Sequence, residues 1–301
     1  MLLIASRRKL GHKRRDKRRT SAQTHYLAVS RHTESNSTDL VTDIGQATWL
    51  SHVKDAGAAH GMAIYVHGFN TPQKTMLARH YRMKHHVRRN GFKGVVIAFD
   101  WPNFASKWQY SADRTLALGV APFLMSDVVA PVVQAVPAAK IHIVAHSMGA
   151  LLTTEALKTR AAGLSFDQVC FVSADVDARD FAPHSTDWTA VTGACNRFTN
   201  FCSGTDKVLK VPGAFVNGMQ KRLGQAGLPQ AGAGDTFDVE GQHRFAEVKQ
   251  RNSAQHSHTW WFEDAFFFKD LCQTLMGGSA AHVSTRLPGH PPPKQMIRAR
   301  P

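Results

Sequence analysis

Apolar positions in this chain fall into short continuous runs, many of them β-branched, separated by longer stretches with helical spacing. Residues 24–30 read as a first strand, followed by a polar connection over 31–38 and a helix near 43–58. The run 62–66 predicts a strand ending in His67-Gly68-Phe69-Asn70. Thr71-Pro72 then supplies an N-cap and a proline for the first helical position, so a basic amphipathic helix should run to about Arg89 and stop at Asn90-Gly91. Further strands are expected at 94–99, 141–146, 168–174, 198–202 and 235–240. A last helix over 259–276 carries Trp260, Trp261, Phe262, Phe266, Phe267 and Phe268, a stripe that fits a core. Residues 111–135 are apolar and almost uncharged, long enough to raise the question of a membrane span. Arg114, Asp127, Pro122 and Pro131 within them argue instead for a kinked helix buried against a sheet. Strands that are continuous apolar runs, alternating with helices, predict an α/β fold with a mostly parallel sheet covered on both faces.

Length and charge refine this picture. A chain of 301 residues can bury one large core. Of the net charge of +15, residues 1–20 carry +8 and residues 282–301 carry +4, leaving +3 for the body. The body therefore gives no electrostatic reason to bind nucleic acid. The organisation expected is a basic, unstructured tail over 1–22, a single domain over 23–277, and a Pro-rich unstructured tail over 278–301 that includes Pro291-Pro292-Pro293. The N-terminal cations follow the short apolar start, the reverse of a secretory signal. That tail is expected to act only through charge, as a weak attachment to anionic surfaces. Four cysteines form no C-x-x-C pair, which fits a reducing, cytoplasmic setting. The seventeen histidines show no zinc spacing, so no metal and no cofactor is expected.

The candidate chemistry centres on Ile141-His142-Ile143-Val144-Ala145-His146-Ser147-Met148-Gly149-Ala150. A β-run enters a serine between small residues and continues into a helix, the context of a nucleophile elbow; Ala145 stands where the motif usually has glycine. A serine hydroxyl needs a base, an acid to orient that base, and donors for the developing oxyanion. In this topology the chain order is Ser, then Asp or Glu, then His. Asp206 ends the second strand after the elbow and His258 follows the last strand, so Ser147, Asp206 and His258 are the expected triad. His256 competes for the base, and Asp175 and Asp177 for the acid. Backbone N–H groups of Phe69 or Asn70, with that of Met148, are the expected oxyanion donors. His67 is expected to brace the oxyanion loop, Asp113 to anchor the loop after Trp101, and His146 to be structural. Residues 175–197 are too few for a cap domain, although 211–234 has the composition of a flap.

The segments Tyr65-Val66-His67-Gly68-Phe69-Asn70, Asp100-Trp101-Pro102 with Tyr110 and Asp113, and Val144-Ala145-His146-Ser147-Met148-Gly149 carry a resemblance, as do Asp175-Val176-Asp177, Asp206-Lys207-Val208-Leu209, Arg222-Leu223-Gly224 and His258-Thr259-Trp260. Together they resemble the bacterial α/β-hydrolase family of unknown function within the esterase/lipase superfamily, over roughly residues 60–270. Asn103 stands where that family often has Ser, and His258-Thr259-Trp260 where it often has His-Ser-Tyr. The resemblance implies hydrolysis of an ester-like bond on a small-molecule substrate. Thioester or amide hydrolysis would use the same machinery, and a non-catalytic binding protein of the same fold is the rival class.

Overall fold

The computed structural model describes residues 1–8, 20–30, 40–104, 106–137, 139–210, 220–229, 237–240, 254–279, 282–288 and 295–297. Its centre is an 11-stranded sheet in the order β10-β11-β9-β8-β7-β6-β4-β5-β1-β2-β3. The strands are β1 (Leu2–Arg8), β2 (Thr20–Ser30), β3 (Leu40–Asp43), β4 (Met62–Val66), β5 (Val95–Asp100), β6 (Ile141–His146), β7 (Phe166–Val172), β8 (Cys195–Cys202), β9 (Phe237–Glu240), β10 (Arg286–Pro288) and β11 (Gln295–Ile297). All pairings from β1 through β5, β4, β6, β7, β8 and β9 to β11 are parallel; only β2, β3 and β10 run against their neighbours.

Alternate residues of each central strand enter two separate cores. Ile64, Val66, Ile97, Phe99 and Ile143 pack on one face, and Ala63, Tyr65, Val96, Ala98 and Val144 on the other. The first face is covered by α1 (Gly45–Asp55), α3 (Tyr110–Phe123), α4 (Ala130–Ala135), α5 (Met148–Lys158), α6 (Thr186–Thr192) and the short α7 (Leu223–Ala226). The second is covered by α2 (Gln73–Arg89) and a C-terminal helix. Burial on both faces is why the strands read as unbroken apolar runs and not as alternating ones.

The apolar stretch 111–135 packs in the first core through Val120, Ala121, Leu124, Val128 and Val132, although by length and composition it could cross a membrane. Its middle, Leu124–Val129, widens into a π-helical turn between Pro122 and Pro131, which have no amide hydrogen to donate.

Four sequence expectations are corrected. Residues 1–22 are not a tail as far as they are described. Leu3, Ile4, Ala5 and Ser6 of β1 pair in parallel with Ile97, Ala98, Phe99 and Asp100 of β5, and Leu2, Leu3, Ile4 and Ala5 are buried. The run is too short and too close to a cationic block to look like a strand, and only the open edge of β5 gives it a place. Arg7 is also buried, its guanidinium 3.7 Å from the centre of the Phe123 ring. The remaining cations of the block, Lys9 to Arg19, lie outside the described residues.

At the other end, Arg286–Pro288 and Gln295–Ile297 are strands, so 278–301 is not an unstructured tail throughout. Buried Asp270 requires a counter-charge, and Arg286 supplies it through a fork with bonds of 2.8 and 3.0 Å. The helix expected over 259–276 is broken into α8 (Ala254–Thr259), a 3₁₀ turn at Trp260–Glu263 and α9 (Ala265–Leu275). Asp264 causes the break: its carboxylate accepts the N–H groups of Phe266 and Phe267, capping a new helix. Finally, Thr71 does not cap α2. Its hydroxyl donates to the Phe69 carbonyl at 3.2 Å, and Pro72 occupies the cap position.

Residues 175–194 hold a 3₁₀ turn at Ala178–Phe181 and α6, which packs on α5 and β8, so no cap domain stands there. Most of the expected flap, 211–219 and 230–234, lies outside the described residues.

The position of β1 has a direct test. Ile4 is fully buried, so Ile4→Ala should cost about 2–5 kcal/mol in urea denaturation. A change within ~0.5 kcal/mol, the usual range for an exposed site, would take β1 out of the sheet.

Candidate active site

The sheet changes its direction of growth between β4 and β6. From β4 the chain steps outward to β5, then returns to place β6 on the other side of β4 and continues to β7, β8 and β9. In open parallel sheets such a reversal opens a crevice at the carboxyl ends of the strands. Here β4 ends in His67-Gly68-Phe69-Asn70 and β6 ends at Ser147. The two motifs singled out in the sequence thus face one crevice.

Ser147 has φ 56° and ψ −124°, a conformation few non-glycine residues adopt. Its backbone is tied on both sides: its N–H donates to the Val172 carbonyl at 3.0 Å, and its carbonyl accepts from Asp175 at 3.1 Å. The surrounding backbones approach too closely for side chains. A Cβ on Gly149 would lie 2.6 Å from the carbonyl oxygens of Val66 and His67, and one on Gly68 would lie 2.7 Å from the Ser147 Cβ. Ala145, in place of the usual glycine, buries its methyl in the core.

The Nδ1 of His258 lies 2.7 Å from Asp206 Oδ2, and both residues are buried. The other Asp206 oxygen accepts from the Val208 and Leu209 N–H groups at 3.0 and 3.2 Å, which fixes the carboxylate plane. His258 is therefore the histidine that the fold joins to Asp206; His256 lies one half-turn away on α8. His146 meets His258 with ring centres 4.8 Å apart and directs its Nε2 at the His258 carbonyl, 3.3 Å away. Burial, reinforced by the neighbouring His258, holds His146 well below the ordinary histidine range, so it is neutral. It is structural, as expected, but the sequence did not show that it buttresses the other histidine.

Asp175 and Asp177, the competing acids, are committed elsewhere. The fully buried Arg222 lies 3.1 Å from Asp175 and 2.9 Å from Asp177, while the Tyr110 hydroxyl donates to Asp175 at 2.9 Å. The sequence supplied Arg222 and Tyr110 only as parts of a family resemblance, with no hint that they meet. This knot packs beside the loop of residues 67–70 through Phe69, whose ring stands edge-on to Tyr110 at 5.5 Å.

The three expected oxyanion donors, the N–H groups of Phe69, Asn70 and Met148, make no backbone hydrogen bond among the described residues. That of Met148 also opens α5, where a helix N-terminus favours negative charge. Asn70 has φ 50°, and its N–H together with that of Phe104 draws the Asp113 carboxyl down against the rise that burial causes. Asp113 accepts from the Phe104 N–H at 2.7 Å. It therefore anchors the loop after Trp101, as expected.

His67 braces that loop from below. Its ring stacks on Trp101 at 5.1 Å, its carbonyl accepts from the Trp101 indole at 2.7 Å, and its Nε2 lies 3.1 Å from Asp100. Burial is the main influence on the ring and holds it below its ordinary pKa. Asn103 adds a bond from its amide to the Thr71 carbonyl at 3.0 Å. Among the described residues no group of histidines, cysteines and carboxylates is arranged to hold a metal ion.

A parallel sheet with this reversal, carrying a strained serine at its crevice, defines the α/β-hydrolase class. The sequence profile of the alpha/beta hydrolase family of unknown function DUF900 matches residues 44–258, and the chain belongs to that family. No curated protein matches it in sequence. Among solved structures it is similar to an esterase domain from a Rhodothermus marinus protein, with 12% identity, a TM-score of 0.38, and 84% of this chain and 92% of that one covered. It is also similar to a Trichoderma reesei cutinase in complex with a phosphonate inhibitor, with 13% identity, a TM-score of 0.34, and coverage of 75% and 77%.

Asp113 gives the site a pH signature. Burial pushes its carboxyl up to about 6, against the pull of the Phe104 and Asn70 N–H groups. Between the ordinary carboxylate range and about 6 the folded state keeps a proton that the unfolded chain has released, so this residue's contribution to stability falls as pH rises through that window. Asp113→Asn retains an acceptor for Phe104 without the charge. Relative to wild type, the variant should gain roughly 2–3 kcal/mol in urea denaturation between pH 4 and pH 7. Parallel curves for the two proteins would show that Asp113 titrates normally.

Proposed function

We propose that this hydrolase is a serine hydrolase that cleaves a carboxylic ester through an acyl-enzyme, with Ser147 as nucleophile, His258 as base and Asp206 as the acid that orients it. The reading rests above all on the buried 2.7 Å pair between His258 Nδ1 and Asp206. With Nδ1–H donating to Asp206, the Nε2 of His258 keeps a lone pair to accept the serine proton. The Ser147 oxygen then adds to the ester carbonyl, and the Phe69 and Met148 N–H groups receive the oxyanion. His258 returns the proton to the departing alkoxide, and a water molecule activated by the same ring releases the acid and regenerates Ser147. Side chains and backbone groups of this chain supply every proton transfer and every charge-stabilising contact.

Fluorophosphonate labelling followed by peptide mapping tests the nucleophile. Covalent mass is expected on the peptide containing Ser147 and none in Ser147→Ala, which should also lose hydrolysis of short p-nitrophenyl esters while remaining folded. A folded Ser147→Ala protein with full activity overturns the assignment. Parallel assays with thioester and anilide analogues of the same acyl group rank the bond cleaved.

The base and acid have their own expectation. Asp206→Asn should lower kcat by roughly 10⁴-fold through the wrong imidazole tautomer, and His258→Ala comparably. His256→Ala should change kcat little. Reversal of the two histidine results would move the base to His256.

A further inference from the structure

The oxyanion loop is fastened by a residue that lies outside both the triad and the family-matched segment 44–258. Arg8 closes β1, where the pairing with β2 shifts register between Ser6 and Arg8. Such an irregularity re-aims a side chain at the end of a strand. Here it turns the Arg8 guanidinium back over the carboxyl end of β5. Its Nε donates to Asp100 Oδ1 at 2.5 Å. Its Nη2 donates to the Thr71 carbonyl at 2.9 Å and lies 3.3 Å from His67 Nε2. One planar cation thus touches the strand that supports the loop, the first residue of the loop and the residue that ends it.

The charges around it are matched. Asp100 is fully buried; its second oxygen accepts from the Ser6 hydroxyl at 3.0 Å. Burial alone would raise the Asp100 carboxyl, but Arg8 and His67 together hold it below its ordinary value. The Trp101 N–H and Asp100 Oδ1 both lie against His67 Nε2, at 3.2 and 3.1 Å, while the other ring nitrogen, Nδ1, lies 3.0 Å from the Gly68 carbonyl. The position of the Gly68-Phe69 peptide is therefore linked through His67 to the cation at Arg8.

We propose that Arg8 is a positioning residue: its forked contacts to Asp100, His67 and Thr71 fix the oxyanion loop, so that the N-terminal strand sets where the Phe69 N–H points. The kinetic consequence rests on the ester-hydrolase reading above; the structural one does not. Lysine keeps the charge but cannot reach Asp100 and Thr71 at once, because a single ammonium replaces a fork.

The test uses the full chain with Arg8→Lys and Arg8→Ala. By NMR, the Trp101 indole N–H, which bonds to the His67 carbonyl, and the Asn70 amide should exchange at least ~10-fold faster in both variants. The Ile143 and Val144 amides in β6 should keep wild-type rates, since a local opening leaves the central strands closed. On a short p-nitrophenyl ester, kcat should fall roughly 10–100-fold with KM within about twofold, because a misaimed oxyanion donor acts on the transition state and not on substrate binding. Added methylguanidinium should restore part of kcat in Arg8→Ala. Wild-type exchange at Trp101 and Asn70 in the variants overturns the proposal, whatever the activity does. A wild-type enzyme without esterase activity, but with faster loop exchange in the variants, removes the ester reading and leaves the role of Arg8 standing.

Discussion

Ser147 holds φ 56° and ψ −124°, a backbone state that costs an L residue of order 1–3 kcal/mol. The architecture around it keeps it there. β7 receives its N–H and the segment after β7 donates to its carbonyl, while Gly149 lets α5 begin hard against the end of β4. The same contact brings Gly68 to the back of the serine, so the loop that offers the Phe69 N–H and the helix that offers the Met148 N–H are placed by one packing constraint. Relaxing the turn would move the hydroxyl and both donors together. That dependence is why the elbow needs a central strand, with neighbours on both sides.

A second theme is the treatment of buried carboxylates. Asp100, Asp175, Asp206 and Asp270 are all buried near the carboxyl ends of strands or in α9, and each has a partner of matched chemistry. Arg8 and His67 serve Asp100, Arg222 and Tyr110 serve Asp175, His258 serves Asp206, and Arg286 serves Asp270. Removing one member of such a pair leaves an uncompensated charge in a medium that solvates it poorly. Asp206 differs from the rest because, among the described residues, a histidine and no arginine lies against it. The arginine-bound carboxylates around it are held in fixed contacts.

The histidines divide in the same way. His67 and His146 are both buried, and burial lowers the proton affinity of each. They act as neutral, shaped hydrogen-bonding groups, one beneath the oxyanion loop and one against His258. His258 differs from both in turning its Nδ1 to a carboxylate, that of Asp206.

The sequence by itself determined the parallel core, because strands buried on both faces tend to be continuous apolar runs, and β4 and most of β5 are such runs. It also determined the elbow, since a β-run, a serine between small residues and a helix follow one another locally. Chain order led to Asp206 and His258 as a pair, and the fold brings the two together. Tertiary structure decided what depends on partners distant in sequence. β1 exists because β5 offers an edge, and its seven residues have too little pattern to announce a strand. Charge totals placed Arg8 and Arg286 in solvated tails, yet each lies against a buried carboxylate contributed by another element. The break at Asp264 was equally hidden, because a carboxylate can face solvent or a backbone amide and only the packed fold selects between them.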